Sequence, residues 1–312
     1  MKSKYIKAIT LLSFITIFTA CGTYAAQPGD GLGIHGLLSR IDYGGNTAYI
    51  FGSMHAGAPN WFPLAPAVEE AMERSQVFVF EYDMSLNEAV QVAVLMDFMA
   101  ANQDTIGTLL PLLSQEEYTN FRQNLATFPA DIVPRGQNFY NLHPFFLETA
   151  IVYGALESIG IHTDYSVDHY VLGIAQNRGV PILGLNHLVR EMEHIFSSPT
   201  ELALQGLANF MTWEEALQEA EVLTDNYATQ NIAALEGTFT QLGDTLAEQW
   251  LYEVLVVQRS IEFAQEIQRL LQETQEPTIF FVTMGIGHMI GDTYANVFVY
   301  LEGQGFDIVE LF

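Results

Sequence analysis

Three stretches of this 312-residue chain place a histidine three positions after a glycine: "GSMH" ending at His55, "GLNH" ending at His187 and "GIGH" ending at His288. That is more than 24 glycines and 8 histidines would supply by chance. Each motif follows an apolar, strand-like run, "AYIF", "VPIL" and "TIFFVTM" in turn. Ligands of open parallel sheets gather beyond the carboxyl ends of the strands. A glycine at that point lets the backbone turn tightly, so the histidine can point back over the sheet edge. Glu81, the first acid after "VFVF", stands at a further strand end. Histidines at several converging strand ends, with Glu81 beside them, could share one site. Taken singly, each residue also has a plainer role: a satisfied loop histidine, or a glutamate that ends its strand or pairs with an arginine.

Composition narrows the remaining chemistry. The only cysteine is Cys21, so the chain offers no disulfide framework, no thiolate metal site and no cysteine nucleophile. No Gly-x-Ser-x-Gly elbow is present, which argues against a serine hydrolase of that type. Ligation by nitrogen and oxygen alone suits Zn, Mn, Co or Fe, and the sequence does not choose among them. The formal net charge is −26, so the chain repels phosphate backbones and nucleic acid is not an expected partner.

The first twenty residues read as an export signal. Lys2, Lys4 and Lys7 precede an apolar run from Ala8 to Ala20, too short to span a bilayer comfortably. "FTAC" resembles a bacterial lipobox, in which Cys21 would be lipidated and become the mature N-terminus; Phe18 stands where leucine is usual. A plain signal peptide with an incidental cysteine is the alternative. Either way the mature chain keeps 8 arginines against 37 acids, a net charge of −29. It is expected to be exported and to touch a membrane only through lipid, at the outer membrane if the cell has one.

The elements that must position these residues can be read from periodicity. Residues 21–36 are Gly-rich and form an expected tether, followed by one domain over 37–312. "LLSRIDYGGNTAYIFGSMH" reads as a hairpin turning at Gly-Gly-Asn. "APAVEEAMERSQ" has helical spacing and "VFVFEYD" is a short apolar strand. "SLNEAVQVAVLMDFMA" opens with a capping box, Ser85 and Glu88, and "SQEEYTNFRQNLATF" follows the same logic. Helical periodicity dominates 85–160 and 198–272. Between them lie the helix "SVDHYVLGIAQNRG" and the strand "VPILGLN", and the chain closes strand, helix, strand. This alternation predicts an α/β fold, a mainly parallel sheet flanked by helices and carrying a large helical insertion.

The opening "YIFGSMHAGAPNWFPLAPAVEEAMERSQVFVFEYD" and the close "FFVTMGIGHMIGDTYANVFVYLEGQGFDIVEL" resemble the two ends of the TraB/PrgY/GumN family, which includes the Tiki proteases. "SVDHYVLGIAQNRGVPILGLN" is similar to the family's aspartate-containing helix and following strand. The resemblance implies an erythromycin-esterase/ChaN-like α/β fold and a metal-dependent hydrolase acting on peptide or protein. By position it implies His55, His288 and Glu81 as metal ligands, with Glu81 ligand or general base. It also places Asp168 and Arg259 in the site, to orient ligands or stabilise an oxyanion. Asn186 stands where the family often has glutamate, and a neutral amide is neither a charged ligand nor a base. That departure leaves a second expectation beside the enzyme: a surface lipoprotein that binds haem, metal or peptide without turnover.

Overall fold

The computed structural model describes residues 33–34, 36–101, 104–133, 136–196, 198–240, 249–250, 252–291 and 296–311. The expected signal, Cys21 and most of the expected tether lie outside these residues. The last part of that tether is packed: Ile34 is buried and its carbonyl accepts from the Ala65 N–H.

Six strands form one sheet. They are β1 (Leu38–Tyr43), β2 (Asn46–Ser53), β3 (Val77–Tyr82), β4 (Ile182–Asn186), β5 (Ile279–Gly285) and β6 (Ile308–Glu310), in the order β4-β3-β5-β2-β1-β6. The four strands β4, β3, β5 and β2 are parallel; β1 pairs antiparallel with both β2 and β6. β1 and β2 are the expected hairpin. Gly44 and Gly45 turn it with φ of 59° and 98°, the positive values that a tight two-residue turn demands and that residues with a Cβ resist. β2, β3 and β5 are apolar because both faces are covered, whereas β4 at the edge is partly exposed. Phe51, Phe78 and Phe281 are fully buried where β2, β3 and β5 meet, with ring centroids 5.6–6.0 Å apart.

Two helices, α1 (Pro66–Arg74) and a later one, α5 (Val167–Arg178), return the chain from β2 to β3 and from β3 to β4. The return from β4 to β5 ends in α10 (Arg259–Glu273), and α11 (Val297–Gly303) links β5 to β6. Because parallel crossovers are right-handed, steps in opposite directions across the sheet put their helices on opposite faces. The contacts agree. α1 and α5 pack on β5, and α5 also on β3; α10 packs on β1, β2 and β4, with α11 beside it.

The helical insertion falls in the same two crossovers. α2 (Glu88–Ala101), α3 (Gln115–Leu125) and α4 (Pro144–Ser158) precede α5. α6 (Leu188–Phe196), α7 (Thr200–Ala208), α8 (Trp213–Ala228) and α9 (Ile232–Thr240) precede α10. α8 packs on α4, and its Tyr227 hydroxyl donates to the Gly52 carbonyl at 3.0 Å, tying the insertion to the end of β2. The capping box of α3 forms as expected between Ser114 and Glu117. That of α2 does not: Ser85 bonds Asp83 at 2.6 Å, and Asn87 instead accepts from the Ala89 N–H. An acceptor two residues back captures the serine before the helix can use it.

His143 caps α4 through its ring, Nδ1 accepting from the Phe145 N–H at 3.2 Å, and the ring packs edge-on against Phe196. Burial pushes its pKa from the ordinary 6.5 down to about 4. The unfolded ring takes up a proton near pH 6.5 while the folded ring resists, so stability is complete above that pH and is lost as pH falls toward 4. His143→Asn keeps a capping oxygen but does not titrate. Between pH 6.5 and 4 the wild type is expected to lose roughly 2–3 kcal/mol more stability than this variant, read from urea unfolding.

Candidate functional site

The strand order makes neighbours of residues far apart in sequence. β3, β5 and β2 are adjacent, and the ends of all three carry expected site residues: Glu81 in β3, His288 just beyond β5 and His55 just beyond β2. His55 Nε2 stands 3.9 Å from Glu81 Oε1, and His288 Nε2 stands 3.8 Å from the same oxygen. All three side chains are buried.

The glycines of the two motifs act differently from the expected tight turn. Gly52 is still within β2, and a Cβ there would stand 3.0 Å from the Ile286 side chain, so its use is close approach. Gly285 donates its N–H to Glu81 Oε1 at 2.7 Å and opens the single turn Ile286–His288 that carries the second histidine. The third motif does not join. His187 is exposed beyond β4, the edge strand.

Each imidazole is oriented through its Nδ1. Asp168, in the first turn of α5, accepts from His55 Nδ1 at 2.7 Å and from Ser53 Oγ at 2.7 Å. The Val167 N–H donates to the Met54 carbonyl and Ser166 caps the helix, which fixes Asp168 beside the end of β2. With Nδ1 committed to Asp168, His55 turns Nε2 toward Glu81. That atom is buried and has no hydrogen-bond partner. His288 Nδ1 lies 2.9 Å from Ser260 Oγ, and its ring packs edge-on against Phe263. Burial, reinforced by the positive charge of Arg259, holds His288 well below its ordinary pKa and therefore neutral. Burial also opposes a charge on His55, but the Asp168 carboxylate outweighs it and raises the ring to about 9.

Glu81 is held from its other side. Arg259 is fully buried at the start of α10, where it follows a π-helical segment, Glu253–Gln258, of the kind common at functional sites. Its Nη2 donates to Glu81 Oε2 at 2.7 Å and to Glu191 Oε2 at 2.5 Å. Glu191 comes from the first turn of α6. Burial pushes its carboxyl up, opposed by Arg259. Asn186 donates through Nδ2 to Glu191 Oε1 at 3.0 Å and to Glu262 Oε2 at 2.8 Å. Glu262 also bonds His194 and Arg190, and although partial burial raises it, these bonds bring its pKa down to about 2.

The structure therefore brings together His55, Glu81, His288, Asp168 and Arg259. It places Asn186 behind Arg259, among carboxylates. Ser53, Ser260 and Glu191 also serve the site. The two serines had a weak sequence signal, a hydroxyl near an expected site residue, and Glu191 had none. Cys21 lies outside the described residues.

A divalent cation fits this donor set on two grounds. An orphaned imidazole nitrogen faces a carboxylate oxygen, with its far nitrogen fixed by an aspartate, as is usual behind a metal-bound histidine. A cation that displaces the His55 Nε2 proton would face three carboxyl groups, Glu81, Glu191 and Asp168, against the one guanidinium of Arg259. The separations of 3.8 and 3.9 Å exceed the roughly 3.3 Å between tetrahedral ligands about 2.0 Å from one ion. Accordingly, no three ligands among the described residues form a ready cage.

Asn186→Glu would add a third carboxylate to the Glu191–Glu262 pair and remove the donor they share. It is expected to destabilise the fold by about 1–3 kcal/mol. The urea midpoint measures this, and a Glu262→Gln background should return part of the loss.

Comparison with known proteins places this geometry. The TraB/PrgY/gumN family profile matches residues 37–310. The uncharacterized protein YbaP of Shigella flexneri is 22% identical over 258 residues, covering 80% of this chain and 86% of that protein. No solved structure matches. A match that runs from the start of β1 to the end of β6 takes in every strand end that builds the site, and the chain belongs to the TraB/PrgY/gumN family.

Proposed function

We propose that this protein is a metal-dependent hydrolase of peptide or protein substrates, with His55, His288 and Glu81 holding the ion. The observation that supports it most is the pair of buried imidazoles aimed at one carboxylate oxygen, one of them with its Nε2 unpartnered. A bound divalent cation, Zn, Mn, Co or Fe, would supply Lewis acidity toward a carbonyl and toward water.

The rest falls to the protein's own groups. Asp168 keeps the His55 proton on Nδ1, and Ser53 keeps Asp168 from turning away. Ser260 steadies His288. Arg259 and the Gly285 N–H hold Glu81 fixed while leaving lone-pair capacity on Oε1. That oxygen either ligates the ion or, with the histidines alone holding it, takes a proton from an attacking water. Arg259 also brings a permanent positive charge to the site, which suits developing negative charge on an oxygen.

Burial of both imidazoles favours a second reading, a protein that binds metal, haem or peptide without turnover. Turnover of a diverse peptide library by the purified chain separates the two. The hydrolase reading expects cleavage that a chelator stops and added metal restores. It also expects losses of about 100-fold or more in His55→Ala, His288→Ala and Glu81→Gln. Metal uptake with no cleavage in any of these conditions would support the binder.

We also propose that the protein is exported and anchored through Cys21, supported by the basic, apolar and cysteine order of residues 2–21. Cys21→Ala should move it from the membrane to a soluble extracytoplasmic fraction. Continued sedimentation with membranes would contradict the anchor.

A further inference from the structure

We infer that Glu191 is a positioning residue whose task is to stop Arg259 from neutralising Glu81. This rests on the metal-centred reading above and adds to it a residue outside the ligand set. The geometry is a shared donor. A single nitrogen, Arg259 Nη2, lies 2.7 Å from Glu81 Oε2 and 2.5 Å from Glu191 Oε2, with the guanidinium fully buried. A buried arginine paired one to one with Glu81 would cancel the charge that a cation needs. Two carboxylates on one guanidinium leave a negative excess, and the free lone pair of Glu81 Oε1 presents it between the imidazoles.

Glu191 is itself held for this. It is buried in the first turn of α6, where the helix N-terminus favours an anion, and its second oxygen accepts from Asn186. Asn186 is anchored in turn by Glu262, and Glu262 by His194 and Arg190. The neutral amide at 186 thus serves a carboxylate at 191. A carboxylate supplied from 186 would approach the same region from the strand end. The two positions are then expected to be exchangeable, provided that only one of them is an acid.

The test uses Co2+ as the probe, titrated by absorption into the full chain and into Glu191→Gln, Glu81→Gln and the exchange variant Asn186→Glu/Glu191→Gln. Circular dichroism checks the fold. Glu191→Gln is expected to weaken Co2+ binding about tenfold or more, the usual scale for a partner standing behind a ligand. The exchange variant should recover most of that loss, which a general packing role for Glu191 would not predict. Co2+ affinity unchanged in Glu191→Gln, or a loss that the exchange leaves intact, overturns the inference. If Glu191→Gln does not fold, the exchange variant carries the test and must both fold and bind. Should the wild-type chain take up no Co2+, the metal reading fails separately. Coupling is then read from urea midpoints of Glu191→Gln, Glu81→Gln and their double variant. Non-additive shifts support joint action through Arg259, and additive shifts overturn it.

Discussion

A guanidinium with no access to water sits between two carboxylates, and the rest of the site follows from satisfying it. A buried charge is tolerated only when paired and hydrogen-bonded. Arg259 meets that demand with Glu81 from the sheet, Glu191 from α6 and the Leu255 carbonyl of the π-helical segment before it. Glu81 lies on the sheet while Glu191 and Leu255 lie near the two ends of the long β4-to-β5 crossover, so α6, α10 and β3 cannot shift independently without stranding a charge. The same pairing leaves one oxygen of Glu81 turned toward both imidazoles. Stability and the candidate chemistry thus draw on one contact.

The sheet supplies the remaining constraint. Its order brings the ends of β2, β5 and β3 side by side, so a histidine beyond β2 and another beyond β5 converge on the acid in β3. The fit is close where the two histidine-bearing strands touch, since even a methyl group on Gly52 would press on Ile286. Asp168 enters from the opposite crossover to Arg259, through α5, so the site is clamped from both faces of the sheet.

Much of this was legible in the sequence. Strand ends announce themselves by apolar runs that stop at glycine or at an acid, which is why His55, Glu81 and His288 stood out. Gly44 and Gly45 marked the hairpin because only positive φ closes it tightly. The third motif misled, because a Gly-x-x-His spacing cannot say whether its strand lies inside the sheet or at its edge; β4 is at the edge and His187 is exposed. Asn186 read as a missing catalytic acid because its partners, Glu191 and Glu262, are set by packing and not by spacing. Ser85 shows the same limit at short range, its hydroxyl taken by Asp83 and not by the helix it precedes.

The central claim, that two imidazoles and Glu81 hold one divalent ion, is tested most directly by anomalous diffraction at the cobalt edge from crystals grown with Co2+. One strong peak is predicted about 2.0–2.2 Å from both His55 Nε2 and His288 Nε2, on the side facing Glu81 Oε1. Crystals that show Co2+ only on surface carboxylates, with the two imidazoles unliganded, would contradict it.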